Sequence, residues 1–366
     1  MGVIKRARVE ESAAVEPETA SILSKIGAPH QTIGDAGRFF DELSRFPGDR
    51  VLEGKRRLLL SKNKGAFIKE CPGTSHYTCC GYQILHIGSY CVMDCAYCIL
   101  QAYFHPPALT YFVNHRDLFD ELDRFFAQKK SRRLGTGEFT DSLIWDKWTN
   151  ISARLSKAFS SQSHAVLELK TKTASVEGLK DVRHNQKTIM AWSLNAEPVI
   201  RSEERGTAPL DARLEAAAKC RSWGYPVAFH FDPMIIYDGW EKDYRDVVKK
   251  MFDRVPPDSV VWISVGAFRF MPSLKKIIQT RFPESKIVYG EFVTGMDGKM
   301  RYFKPLRMEM YRKMVGWIKE RAPGVQVYFC MEDDEVWENA LGFVPGERGG
   351  LSKMLDDSAV FHCGLD

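Results

Sequence analysis

Cys91, Cys95 and Cys98 stand at spacings of four and three in Cys91-Val-Met-Asp-Cys95-Ala-Tyr-Cys98, inside an otherwise apolar and aromatic run. Thiolates are soft ligands, and iron–sulfur clusters are held by them. Three so close together can hold three irons of a [4Fe–4S] cube and leave the fourth iron open to something other than protein. Structural zinc is a competing reading. It needs two ligand pairs at short spacing, and no CxxC or HxxxH follows here. Disulfides need an oxidising compartment. Residues 1–20 are charged, with no apolar run, and do not look like a secretory signal. The nine cysteines therefore read as reduced, some as ligands and some as small buried hydrophobes, in a cytoplasmic chain.

The CxxxCxxC run resembles the signature of the radical S-adenosylmethionine enzymes. The resemblance implies two cofactors, a [4Fe–4S] cluster and S-adenosylmethionine. The amino and carboxylate groups of the latter chelate the open iron. An electron donor such as flavodoxin or ferredoxin supplies the electron that splits the sulfonium. The resulting 5′-deoxyadenosyl radical takes a hydrogen atom from substrate. The cofactor carries the hard chemistry and the protein supplies position and a dry site.

The surrounding elements must place the cysteines where such chemistry occurs. Residues 82–88 read as a strand that runs directly into them, and barrel sites lie on the loops after strand C-termini. Further strands are expected at 133–137, 164–170, 189–194, 227–231 and 259–266, with a last one at 326–330. Helices are expected at 118–126 and 211–220. The expected fold is α/β: the partial (βα)6 TIM-type barrel of the radical S-adenosylmethionine enzymes, with N- and C-terminal extensions. The expected division is a flexible arm at 1–35, a helical and loop extension at 36–80, the barrel at 81–270 and a possible substrate-binding region at 271–366.

The chain has 366 residues, 44% hydrophobic and 27% charged, with a net charge of +5. That is ordinary for a globular protein, and the charge permits a polyanion partner without demanding one. No apolar run approaches the length of a membrane span. Lys55, Arg56, Arg57, Lys62 and Lys64 form a basic stretch that suits either phosphate or solvent. Cys71, Cys79 and Cys80 read as buried thiols before they read as ligands of a second metal site.

Gly137-Glu138 resembles in part the Gly-Gly-Glu-like element whose acid holds the methionine ammonium. By the same resemblance, Ser142, Lys170 or Lys172, Ser193 and Asn195 are placed to bind the methionine carboxylate and the ribose. His230 suits proton handling or an ordinary barrel position.

Ser193-Leu-Asn, Glu203-Glu-Arg205, Pro209-Leu-Asp211-Ala-Arg213-Leu and Tyr237-Asp-Gly-Trp240-Glu-Lys-Asp-Tyr244 resemble the spore photoproduct lyase family of DNA-repair enzymes. In that family the radical takes a hydrogen from a methyl-bridged thymine dimer, which fragments into two thymines. This chain departs from the pattern at two places. Phe139 stands where the lyases carry the cysteine that returns a hydrogen atom. Tyr97 is present, but Ile99 replaces the second tyrosine of the hydrogen relay. Cys330 is the candidate replacement donor. Arg301, Tyr302 and Lys304 mix cations with an aromatic ring, which suits phosphate contact and stacking beside a flipped base. Two alternatives stay open: a small-molecule or peptide substrate in the same barrel, and a non-catalytic iron–sulfur protein that binds nucleic acid.

Overall fold

The computed structural model describes residues 4–73, 76–130 and 132–366. Seven parallel strands, β1 (Gln83–Leu85), β2 (Arg132–Gly135), β3 (Ala165–Thr171), β4 (Thr188–Ser193), β5 (Val227–Met234), β6 (Val260–Ala267) and β7 (Val327–Phe329), lie side by side in chain order. The short strand Ile68–Glu70 pairs antiparallel with β1 at one edge, and β7 is the other edge. The sheet is therefore an open, partial barrel of the expected class. The six expected βα strands are present, and β7 extends them by one.

Burial explains the composition of these strands. Every residue of β6 (Val-Val-Trp-Ile-Ser-Val-Gly-Ala) is buried, as is every residue of β4. Parallel strands covered on both faces read as continuous apolar runs, so they were the most legible elements. The helix Leu210–Ser222 crosses back from β4 to β5, and Pro209 sets its start.

The expected domain division needs correction at three places. Residues 4–35 of the expected arm are folded, and residues 1–3 lie outside the described residues. Arg6–Glu10 is a strand, parallel to both His30–Ile33 and Arg57–Ser61, in a second sheet that continues through Leu109–Phe112 to Gly88–Ser89. Ala7 and Val9 are buried in the core. The period-two pattern of Arg-Ala-Arg-Val-Glu was masked by its charges. The 80/81 boundary is crossed because Ile68–Glu70 joins the barrel sheet. The 270/271 boundary is crossed because β7 does too. The helix Leu351–Cys363 also packs on β6.

After β6 the chain forms an antiparallel three-stranded sheet, in the order Arg269–Phe270, Met300–Tyr302, Phe292–Thr294. Among the described residues, no helix is long and apolar enough to cross a membrane.

The folded N-terminus is testable. Val9→Asp buries an unpaired carboxylate and is expected to cost about 3 kcal/mol or more of unfolding free energy. Urea denaturation measures this; a change under about 0.5 kcal/mol, as for an exposed site, would restore the free arm.

Candidate active site at the cysteine loop

The cysteine loop leaves the barrel after β1 and turns at Tyr90, whose φ is +74°. All three cysteines open on one cavity of about 350 Å³. Its far wall comes from the C-terminal ends of β2 to β7: Glu138 and Phe139, Lys170 and Lys172, Ser193, His230 and Asp232, and Cys330. Ligands from one loop thus face groups delivered by the rest of the barrel.

An irregular loop must satisfy its backbone without a ladder. Four side chains do this here. Lys55 Nζ donates to Cys91 O at 3.0 Å and also to Met93 O, and lies 3.7 Å from Asp94. Gln101 Nε2 donates to the carbonyls of Cys95, Ala96 and Cys98 at 3.0–3.3 Å. Arg281 forks onto Asp94 at 3.0 and 3.1 Å and donates to Gln101 Oε1. Glu204–Arg205 pairs antiparallel with Asp94–Cys95, and Ala96 N donates to Glu203 O at 2.8 Å. Lys55 is therefore not part of a basic face for phosphate or solvent: it is buried. Within the same stretch Arg57 pairs with Glu53 and Lys62 with Glu16.

Tyr97 points inward. Its hydroxyl donates to Glu204 Oε1, and Arg213 donates to Glu204 Oε2 at 2.5 Å. Arg213, fully buried, also donates to Ser193 O at 2.9 Å and Ala208 O at 2.8 Å. Burial, with the Glu204 charge added, holds the Tyr97 phenol well above its usual range. Tyr97 therefore keeps its hydrogen.

The donor set fits an iron–sulfur cluster. Burial pushes the Cys91 thiol up to about 12, with Asp141 adding and Lys55 opposing. Burial likewise holds Cys95 well above the usual thiol range. Such thiols ionise when a bound cation compensates the charge. Among the described residues, no group of three or more His, Cys, Asp or Glu converges closely enough for a single metal ion. A four-iron cube spreads its ligands more widely. The Tyr82 hydroxyl, on the same cavity, is buried without a hydrogen-bond partner. A bound ligand would supply one.

The expected cofactor residues divide into two groups. Glu138, Lys170, Lys172 and Ser193 border the cavity. Glu138 Oε2 lies 3.7 Å from Lys170 Nζ. Burial alone would pull the Lys170 ammonium down; Glu138 and Glu168 more than offset it and hold it above the usual lysine value. Gly137 permits this placement, since a Cβ there would sit 2.9 Å from Lys170 Cβ. Ser142 and Asn195 do not reach the cavity, and this corrects their expected role. Ser142 is fully buried and its hydroxyl accepts from Thr136 Oγ1 at 2.8 Å and Lys170 N at 2.9 Å. Asn195 is tied to Pro233 O, Ala196 N and the Tyr244 hydroxyl. Both brace strand ends.

His230 borders the cavity and meets Glu168 Oε1 at 2.9 Å, where Trp262 Nε1 also donates at 3.1 Å. The other three thiols, Cys71, Cys79 and Cys80, border the cavity with Cys330. Cys79 is exposed, not buried, and the hydrogen bond from Cys80 draws its thiol down to about 5.

Arg301 and Tyr302 are buried, which withdraws them as contacts to nucleic acid. Arg301 pairs with Asp297 at 2.8 Å and donates to Met331 O at 2.9 Å. Tyr302 stacks on Phe292 with ring centroids 4.5 Å apart. Lys304 pairs with Asp333 and Glu335. The cation–aromatic pattern looked like a binding face because sequence does not reveal the acids that neutralise it.

The family model for spore photoproduct lyase matches residues 74–328. The chain belongs to the spore photoproduct lyase family. The lyase of Bacillus subtilis (strain 168) is 31% identical over 206 residues, covering 55% of this chain and 60% of that protein. The alignment thus spans less than two thirds of that relative. The lyase of Clostridium acetobutylicum is 25% identical over 273 residues, covering 74% of this chain and 77% of that protein. Among solved structures, a spore photoproduct lyase variant with bound AdoMet and dinucleoside spore photoproduct has a TM-score of 0.79 at 22% identity. That comparison covers 90% of this chain and 99% of the other, and shows a shared fold.

Within the family pattern, Phe139 takes a packing role. Its ring meets His86 at 4.9 Å and Phe104 at 6.3 Å, and its carbonyl accepts from Tyr90 N at 2.7 Å. Sequence reasoning missed Lys55, Gln101 and Arg281, which lie far from the cysteines in sequence or carry no motif.

Glu168 gives a pH test. Burial pushes its carboxyl up, but the His230 charge and hydrogen bond win and hold it at about 2, against an ordinary 4.5. A depressed carboxyl contributes stability above its unfolded value that is lost as pH falls through the folded one. The contribution is on the order of 3 kcal/mol. Stability should therefore fall between pH 4.5 and about 2. In Glu168→Gln that component of the slope should vanish, read from urea midpoints; parallel curves for the two proteins would refute it.

Proposed function

We propose that this chain is a radical S-adenosylmethionine enzyme of lyase type that acts on a thymine-dimer lesion in DNA. The observation that carries the reading is the single cavity shared by Cys91, Cys95, Cys98 and the strand-end groups of the barrel. Membership of the spore photoproduct lyase family supports it. So does the fold shared with a lyase whose structure holds AdoMet and dinucleoside spore photoproduct. Cys91, Cys95 and Cys98 would hold a [4Fe–4S] cluster that, once reduced, splits S-adenosylmethionine and supplies a 5′-deoxyadenosyl radical.

The chain's own residues then have separable roles. Glu138 accepts the methionine ammonium, and Lys170, Lys172 and Ser193 serve its carboxylate and the ribose. Tyr97, held by Glu204, orients its hydroxyl beside the cysteine loop. Cys330 returns a hydrogen atom to the product radical. Burial pushes its thiol up to about 11, with Arg269 opposing, so at neutral pH it carries the hydrogen it must give. An electron donor such as flavodoxin or ferredoxin completes the cycle, in a reducing cytoplasm that suits nine free cysteines.

A polymer substrate needs an outer face. Tyr289 is exposed, with Lys275 and Lys286 about 6 Å from its ring centroid. The helix carrying Lys275, Pro272–Arg281, packs on Leu100–Tyr103, and half-exposed Tyr103 borders the cavity. This face replaces the withdrawn residues as the proposed DNA contact.

The experiment is anaerobic. Reconstituted, dithionite-reduced protein is given S-adenosylmethionine with and without dinucleotide spore photoproduct. Lesion-stimulated 5′-deoxyadenosine and appearance of thymine are expected. Cleavage indifferent to the lesion would move the substrate to a small molecule or peptide. No cleavage with an intact cluster would leave a non-catalytic protein. Cys330→Ala should reduce thymine formation at least about tenfold while 5′-deoxyadenosine still forms, and unchanged turnover would remove Cys330 as donor. Lys275→Ala with Lys286→Ala should lower the salt dependence of duplex binding by about two phosphate contacts, read by anisotropy at several salt concentrations.

A further inference from the structure

We infer that Lys55 sets the electron affinity of whatever redox group the cysteine loop holds, acting as a positioning residue with a fixed positive charge. The inference rests on the reading of Cys91, Cys95 and Cys98 as cluster ligands. Lys55 comes from the helix Arg50–Arg56, in the N-terminal part of the chain, outside the barrel. Its ammonium is buried and reaches across to the segment between the first two cysteines. It also lies 4.5 Å from the centroid of the Tyr90 ring.

Two features separate this from an ordinary clamp. The first is geometry. The two carbonyls that Lys55 contacts flank Val92, so the charge sits on the loop itself and not at its rim. Gly54 beside it allows this depth: a Cβ there would meet Pro107 O at 1.7 Å. The second is the charge balance. Lys55, Arg281, Lys172 and Arg213 stand around the loop against Asp94, Asp141 and Glu204. Arg213 is consumed by Glu204, and Arg281 grips Asp94 with a bidentate fork. Lys55 reaches Asp94 only at 3.7 Å and keeps its short bonds for neutral carbonyls. Its field is thus left for the group bound by the thiols. Reduction adds one negative charge to a cluster, and a nearby buried cation favours that state. Net charge and hydrogen bonding are among the levers that set cluster potentials.

The test uses the reconstituted full chain, iron content per chain, and redox titration followed by electron paramagnetic resonance. Lys55→Gln keeps donors for the carbonyls and removes the charge; Lys55→Arg keeps the charge. Lys55→Gln should retain iron and lower the reduced-to-oxidised ratio at fixed potential on the order of tenfold. Lys55→Arg should stay within about threefold of wild type. An unshifted potential in iron-loaded Lys55→Gln would overturn the inference, as would equal shifts in both variants. Loss of iron from both would also overturn it, leaving Lys55 a structural clamp. Wild type without iron would instead overturn the cluster reading itself.

Discussion

The loop that carries the three cysteines has almost no secondary structure of its own, yet its carbonyls and its aspartate are largely enclosed. Leaving buried backbone oxygens unpaired costs on the order of 1–3 kcal/mol each. The structure meets that constraint with donors from elsewhere in the chain: Lys55 from the N-terminal part, Gln101 from just beyond the loop, Arg281 from the region after β6. The site depends on this interlock. The N-terminal sheet and the segment after β6 are therefore parts of the active-site scaffold, and the chain folds around its cysteine loop from both ends.

The same logic gives the segment 203–213 a physical task. Glu203 and Glu204 are buried carboxylates. Glu203 accepts from Ser285 Oγ at 2.8 Å, and Glu204 joins Tyr97 to Arg213. Arg213 in turn is anchored by Ser193 O at the end of β4. One chain of hydrogen bonds thus runs from the barrel rim to the residue between the second and third cysteines. A buried charge pair stabilises little by itself, because desolvation offsets attraction. What it supplies here is a fixed place for the Tyr97 hydroxyl.

Much of this was legible in the sequence. The cysteine triplet names its own chemistry. The barrel strands are continuous apolar runs, and covered parallel strands must read that way. Gly137-Glu138 could be placed because it ends a strand. What failed did so for two physical reasons. Charged residues read as exposed unless their partners are known, so Arg301, Lys55 and the strand Arg6–Glu10 were all misplaced outward. Polar residues at strand ends look alike, so Ser142 and Asn195, which brace the backbone, could not be told from Lys172 and Ser193, which face the cavity. Both errors are about tertiary partners, which spacing along one chain does not encode.

The central claim is that three thiols leave one iron open to a small molecule. The most direct measurement is the electron paramagnetic resonance spectrum of the reduced, reconstituted protein before and after S-adenosylmethionine is added. The account predicts a four-iron cluster whose spectrum changes on addition, since the open iron gains new ligands. It also predicts that the cluster is lost when Cys91, Cys95 or Cys98 is replaced by alanine and kept when Cys79 is. A spectrum indifferent to S-adenosylmethionine, or a cluster that needs Cys79 as a fourth protein ligand, would contradict it.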